Sequence, residues 1–330
     1  MARYDRKAAI LFKLQSAAGV DAAPSGAANA VLLAGPPKIT PLNSSNIKRD
    51  LIRPFFGGSE ELIGSTYVQV ELAVEYVHSG TSDVVAAWDP LLQVCGFSAR
   101  AILATPNRVE HNLLTDYDTW KLGTMYYHDD GVLHKLLDCK GTFSLKQKIG
   151  ATPKIMFKIM GLDGGIVTAS NPVQTLSAWK LPQAVTDANS GALVLGGAYA
   201  AGAITGGTEY VSDGLDFDLG NALEFVDLLG TATEPGQSVD VSDRAGKSKL
   251  MLSLTAAQEV SFMAAVKACT TQSIGLVHGT ASGYKMLTYL GQAQLINPTK
   301  ENIKGRRMIG FDVNVNPSSA GNDEVKLVGL

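Results

Sequence analysis

Cysteine is scarce in this sequence: Cys95, Cys139 and Cys269 are the only three in 330 residues, far apart and without a CxxC pair. That spacing excludes a zinc ribbon and a thioredoxin-type dithiol, and the odd count argues against a disulfide framework. Folding in a reducing compartment is the simpler expectation. Charge is sparse too, with 28 Lys+Arg against 31 Asp+Glu, 18% of the chain and a net charge of −3. No block of five like charges occurs, so the basic surplus that marks an electrostatic nucleic-acid binder is missing. No apolar run approaches the roughly 18 residues of a transmembrane helix, so membrane insertion is not expected. The charged opening Met1–Ile10 does not read as a signal peptide. Disorder as the overall state is excluded by the 45% hydrophobic content.

Catalytic constellations are missing as well. The five histidines, His78, His111, His128, His134 and His278, show no HExxH or paired ligand spacing. His128 and His134 flank Asp129-Asp130-Gly131 and read as a surface pair without a third ligand. There is no GxSxG elbow, P-loop or GxGxxG. Ser282-Gly283-Tyr284-Lys285 fits SxxK, but at a turn-to-strand junction instead of a helix N-terminus. Asp213, Asp216 and Asp218, with Glu224, copy part of an EF-hand loop. Leu215 and Phe217 at its third and fifth positions offer no side-chain oxygen, and Asp218 stands where Gly is needed. The alternation fits a strand with an acidic face better. Lys304-Gly305-Arg306-Arg307 is a solvated loop or a contact for an acidic partner on a neighbouring subunit. No catalytic, cofactor or metal site is assigned and no enzyme is expected, although an unfamiliar site would leave no spacing signature.

What the sequence does hold is β pattern punctuated by glycine: 34 Gly against 13 Pro. Length alone gives a prior of about two domains. In residues 65–77, Val68, Val70, Leu72, Val74 and Tyr76 share one face, with Gln69, Glu71 and Glu75 on the other, which predicts a strand. Thr81-Ser82-Asp83 then precedes a predicted helix over 84–95, with Trp88, Leu91, Leu92 and Cys95 on its apolar stripe and Pro90 as a kink or first-turn residue. Asp130-Gly131 between 122–128 and 133–137 predicts a hairpin. Strands are expected at 141–148 and 154–160, and a linker at 164–190. Tyr4–Leu14 contains helix formers with weak periodicity and reads as an arm that could pack on a neighbour.

The second half repeats this order. A strand at 248–254 leads into a helix at 256–269 capped by Thr255, with Val260, Phe262, Met263, Val266 and Cys269 on its apolar side. A hairpin around 278–283 and strands at 291–296 and 308–315 follow. Ala192–Gly196 and Ala30–Leu33 each read as the first strand of a half. The expected organisation is mainly β with short helices, in two tandem domains, 1–180 and 181–330, each with one flanking helix. A long hairpin arm at 52–64 has Arg53, Phe55, Phe56, Gly57 and Glu60 around its bend. Its two Phe either dock on another subunit or fold back on their own core. The counterpart arm, 229–243, has Glu234, Pro235 and Gly236 at its tip.

The sequence resembles the tail tube proteins of long-tailed, siphophage-type bacteriophages, of the kind found in phages and prophages of Pseudomonas-like bacteria. The resemblance is carried by Arg3-Tyr4-Asp5-Arg6-Lys7-Ala8-Ala9-Ile10-Leu11, Gly19-Val20-Asp21, Pro24, Gly26–Ala30, Ile39-Thr40-Pro41-Leu42 and Lys48–Phe55. Further on it is carried by Ala87–Leu92, Cys95-Gly96-Phe97, Asp130–Lys135 and Gly141-Thr142. It covers roughly residues 1–162. It implies β-sandwich or barrel domains that assemble into stacked rings, with hairpins and N-terminal arms reaching the next ring. Two such domains per chain imply a homotrimer forming a pseudo-hexameric ring. The implied partners are other copies of the chain, with tail terminator, distal tail and tape-measure proteins. Genomic DNA would pass through the lumen without specific binding. The implied location is the virion tail, with assembly in the host cytoplasm. Glu71, Glu75, Asp216 and Asp218 are candidates for acidic residues facing the lumen, where they would repel phosphates; rim charges and salt-bridge partners are the alternatives. The competing readings are another virion ring, such as a distal tail or terminator protein, a type VI secretion-like tube subunit, and a β-sandwich binding module or enzyme.

Overall fold

The computed structural model describes residues 3–97, 99–231 and 235–330. In chain order, the strands are β1 (Ala8–Leu14), β2 (Ala30–Val31), β3 (Lys38–Lys48) and β4 (Glu61–Glu75), followed by helix α1 (Asp89–Gln93). Next come β5 (Ala99–Ala104), β6 (Asn107–Asn112), β7 (Gly123–Asp129), β8 (Val132–Lys148) and β9 (Lys154–Thr168). Then follow β10 (Leu193–Leu195), β11 (Ala198–Ala200), β12 (Ala203–Thr205), β13 (Thr208–Asp218), β14 (Asn221–Asp227), β15 (Gln237–Arg244) and β16 (Gly246–Ser253). The chain closes with α2 (Ala256–Lys267), β17 (Thr271–His278), β18 (Met286–Ile303), β19 (Arg306–Asn316) and β20 (Val325–Gly329). The fold is β-rich with few short helices, as the periodicity predicts.

Eight strands run side by side in one antiparallel sheet, in the order β3-β4-β9-β8-β13-β16-β19-β18. A second group of strands covers it. β7 carries β1 and β2 on one side. β17 carries β10 and the first part of β18, which continues through β20 to β6 and β5. β8 forks between the two groups: its first part pairs β7 and its last residues pair β13 on the same edge. The bend is a bulge between Leu137 and Lys140, with Asp138 at φ 50°. β18 bends through a bulge between Ile296 and Thr299, with Asn297 at φ 49°. Asp and Asn are the non-glycine residues that enter this region most readily.

The pairing pattern occurs twice. The ladder β1-β7-β8-β9-β4-β3 is matched step for step by β10-β17-β18-β19-β16-β13, with a helix after β4 and after β16. In both copies the helix follows a strand that buries alternate residues: Val68, Val70, Leu72 and Val74 in β4, and Leu250 and Leu252 in β16. α2 opens with the predicted cap: the Gln258 amide donates to Thr255 Oγ1 at 3.3 Å, and the Thr255 amide donates to Gln258 Oε1 at 2.9 Å.

Five local expectations need correction. Tyr4–Leu14 is not a free arm, because Ala8–Leu14 forms β1, between β2 and β7, with Ala9–Phe12 buried. The opening strand of the first half is therefore β1, and Ala30-Val31 is a two-residue strand beside it. The helix expected over 84–95 contracts to α1: Pro90 lies in its first turn, where a missing N–H costs nothing, while Trp88, Leu91, Leu92 and Cys95 are buried as expected. Residues 164–168 belong to β9, not to the linker. The rest of that segment is fastened to both halves: the Trp179 indole N–H donates to the Ala30 carbonyl at 3.0 Å and the Thr175 amide to the Gly26 carbonyl at 2.9 Å, while the Gly279 amide of the second half donates to the Asn189 carbonyl at 2.8 Å. In α2, Val260 faces solvent and Phe262 alone is fully turned inward.

One core cluster runs through both halves. Phe143 of β8 stands against Phe97, Phe157 and Phe217 at ring-centroid separations of 5.6, 6.1 and 6.0 Å, and Phe217 lies in the second half. Buried beside this core, under β20, is His78, whose pKa desolvation pulls down to about 4. Burial lowers His128, His134 and His278 as well. An unfolded histidine binds its proton near pH 6.5, whereas folded His78 resists until about 4. The unfolded state therefore holds more protons in that window, and stability is full above about 6.5 and falls as pH drops toward 4. Thermal melts from pH 7.5 to 4 should show a falling Tm below about 6.5, with a shallower slope in His78→Gln.

Candidate assembly surfaces

The chain presents three features that fit contacts with other subunits: the outer face of the eight-stranded sheet, two hairpin tips and the two end strands of that sheet. The outer face follows from period two. Val68, Val70, Leu72 and Val74 point into the core, so Gln69, Glu71, Ala73 and Glu75 point out. All four carboxylates singled out from the sequence, Glu71, Glu75, Asp216 and Asp218, fall on this one face, each directly across from lysine. Glu71 lies between Lys38 and Lys158. Glu75 is opposite Lys154, and Asp218 is opposite Lys247. Asp216 lies between Lys146 and Lys249, and Lys249 is in turn opposite Asp312.

One row thus reads Glu75, Lys154, Lys146, Asp216, Lys249, Asp312 across six strands. Directly opposed cross-strand residues have Cβ atoms about 5 Å apart, close enough for opposite charges to stabilise the sheet. Lys148 Nζ adds a contact to Asp213 at 2.8 Å and approaches Asp216 at 3.7 Å. Burial raises the Asp216 pKa, and Lys148 and Lys146 pull it back. The lysines are what sequence reading alone misses. Each lies in a different strand from its carboxylate, and only the register brings them together.

The first hairpin tip is residues 49–60, between β3 and β4. Phe55 is 63% exposed, and Ile52 and Phe56 are fully exposed. Neither Phe folds back on the core. The Arg53 guanidinium lies 6.0 Å from the Phe55 ring centre, and Arg49 reaches Glu60 at 3.3 Å. The chain bends at Pro54-Phe55, and Gly57 follows at φ 154°. The second tip joins β14 to β15, which pair only with each other among the described residues. Pro235 is exposed, Gly236 is half-buried, and Glu234 lies outside the described residues. Leu228 and Leu229, exposed at 69% and 102%, supply the apolar surface of this tip. The hairpin is tied to the first half by Tyr67 stacked on Phe225 at 5.0 Å and by Lys140 paired with Asp240 at 2.9 Å.

Other sequence candidates are structural. Ser282 Oγ shares a hydrogen bond with Ser82 Oγ at 2.8 Å. Lys304-Gly305 form the left-handed turn between β18 and β19, and Arg306 donates to Ser253 at 3.1 Å. His128 and His134 are not the expected surface pair: His128 is buried, and the two lie on adjacent strands without being directly opposed. Among the described residues, no group of three His, Cys, Asp or Glu is placed to hold a metal ion, and no helix is long and apolar enough to cross a membrane.

A duplicated antiparallel sheet with an ionic outer face and exposed apolar hairpin tips defines a structural building block. A model of the family described as phage tail tube protein matches residues 5–317, nearly the whole chain and both halves. The chain belongs to the phage tail tube protein family, a structural and not an enzymatic one, and is a component of the virion tail. No curated protein matches it.

The charge alternation should carry measurable stability. Asp216→Lys would set a fifth positive group beside Lys146, Lys148, Lys249 and Lys247. A loss of about 1–3 kcal/mol is expected in denaturant melts, shrinking as salt is raised.

Proposed function

We propose that the chain is the repeating subunit of a siphophage-type tail tube, three copies closing a pseudo-hexameric ring and stacked rings forming the conduit for genomic DNA ejection. The observation that carries this reading is the doubled strand pairing within one family-matched chain: each copy of the motif, over about 1–180 and 181–330, serves as one of six positions around the ring. A ring that lines up eight strands per chain gives each sheet edge a partner, as a long exposed edge needs.

The ionic outer face of the eight-stranded sheet is the lumen wall in this reading. Its carboxylates sit among lysines, so duplex DNA meets mixed charge. Such a wall lacks the uninterrupted basic track that would grip phosphates, and it softens the repulsion of a bare acidic wall. The hairpin tips at Phe55-Phe56 and at Leu228-Leu229 are the inter-ring contacts, since paired exposed aromatics and aliphatics suit a docking pocket on the adjacent ring. Assembly with terminator, distal tail and tape-measure proteins in the host cytoplasm follows from the tail role.

Negative-stain electron microscopy with native mass measurement tests this directly. Rings of about 104 kDa, three times the 34.8 kDa chain, and hollow tubes are expected. A ring of six chains overturns the trimer, and a compact monomer at high concentration overturns the tube reading. The double variant Phe55→Ser, Phe56→Ser should keep single rings and lose long tubes.

A further inference from the structure

The two ends of the eight-stranded sheet are unpaired among the described residues: β3 pairs only β4, and the last residues of β18 pair only β19. The chain contains its own template for joining them. Inside the molecule, the end of the first copy of the motif is sealed to the start of the second by the β8–β13 ladder, in which Asp216 lies opposite Lys146 and Asp218 opposite Ser144.

The equivalent residues can be read from the register. Leu72 of β4 faces Phe157 of β9, and Leu250 of β16 faces Phe311 of β19, so these pairs correspond. Lys38 opposes Glu71, one residue before Leu72, just as Asp216 opposes Lys249, one before Leu250. Lys38 is therefore the counterpart of Asp216. Lys146 opposes Lys154, three residues before Phe157, just as Glu301 opposes Met308, three before Phe311. Glu301 is therefore the counterpart of Lys146.

We propose that β3 of one chain adds to the free edge of β18 of the next copy in the register of the internal β8–β13 ladder, with Lys38 opposite Glu301 and Thr40 opposite Thr299. This rests on the ring reading and names the seam of that ring. Charge supports the register independently of topology. The internal pair is acid on β13 with base on β8, and the proposed pair is base on β3 with acid on β18, so the sign is reversed yet complementary. Lys38 and Glu301 are both exposed in the single chain. Strand direction also fits, because alternation along eight antiparallel strands leaves β18 antiparallel to an incoming β3. A head-to-tail contact of this kind uses two different surfaces per chain and closes a ring when the rotation allows.

Pro36, Pro37 and Pro41 flank Lys38-Ile39-Thr40 and lack the N–H that a ladder needs. They shorten the seam relative to the internal junction and bar a slide to another register.

The register is tested by disulfide trapping on a Cys269→Ser background. Lys38→Cys with Glu301→Cys, oxidised after assembly, should convert most of the protein to a covalent trimer that resists denaturing electrophoresis. Lys38→Cys with Lys300→Cys is the offset control. A one-residue slip turns the side chain to the other face, so at least tenfold less trimer is expected. Separately, Glu301→Lys should raise the concentration at which rings appear about fivefold, as like charges meet at the seam, with the monomer's Tm held. Adding Lys38→Glu should restore assembly. Rings that form without trapping in the Glu301 pair, trapping equal in the offset control, or a charge swap that fails to rescue each overturn the seam while leaving the tube reading intact. A wild-type chain that forms no ring overturns both.

Discussion

The β8–β13 ladder is the interaction on which the rest of the architecture depends. It turns two copies of a five-link strand pattern into one eight-stranded sheet. Buried groups that only this junction satisfies reinforce it. The Asn221 side-chain amide donates to the Cys95 and Gly141 carbonyls at 3.0 and 2.9 Å, and the Leu219 amide donates to the Phe143 carbonyl at 3.0 Å. Gln147, with no exposed surface, accepts from Thr288 Oγ1 at 3.1 Å. Separating the halves would break these bonds and expose the apolar core that both halves share to water. The halves are therefore firmly coupled, as the proposed ring, with each half at one position, would require.

β8 and β18, the two strands that pass from the covering group into the eight-stranded sheet, each carry a bulge near their middle. A strand that must pair one neighbour over its first half and another over its second cannot stay straight, and an extra residue supplies the bend and added twist. Asp138 and Asn297 occupy the left-handed positions. Asp138 also accepts from the Gly19 amide at 2.7 Å, so the bend is held from outside as well. Position for position, the two bulges are not superimposable within the repeat. The copies therefore share a pairing scheme without sharing details, in keeping with the low residue identity between the halves.

Much of this was legible in the sequence, and what was missed has physical causes. The alternation of Val68 to Tyr76, the Asp130-Gly131 turn and the Thr255 cap are local signals, and local energetics decide those elements. β1 escaped because Ala9 to Phe12 are buried on both faces, so the strand has no polar face to alternate with. The first helix was overextended because Trp88, Leu91, Leu92 and Cys95 keep helical spacing while burial alone, in turns, accounts for Trp88 and Cys95. The four carboxylates of the outer face were found from strand parity, yet their lysine neighbours come from other strands, as Lys158 does for Glu71, 87 residues away. Only the long-range register, which no spacing rule encodes, sets them across from one another.

That register makes the outer face more than a list of charges. A lone Glu75 or Asp216 on a solvated sheet would contribute little. Set in a row with Lys154, Lys146, Lys249 and Asp312, each charge has opposite neighbours on the adjacent strands or on the next residue pair, and a slip of one residue would drive the whole row into the core. The charges thus reinforce the register that the apolar face already demands, and both faces specify the same sheet. Lys38, on the free edge of β3, and Glu301, on the free edge of β18, are charges of opposite sign with no strand beyond them. In the proposed ring these two charges would meet across the seam, whereas in one chain they lie at opposite edges of the sheet.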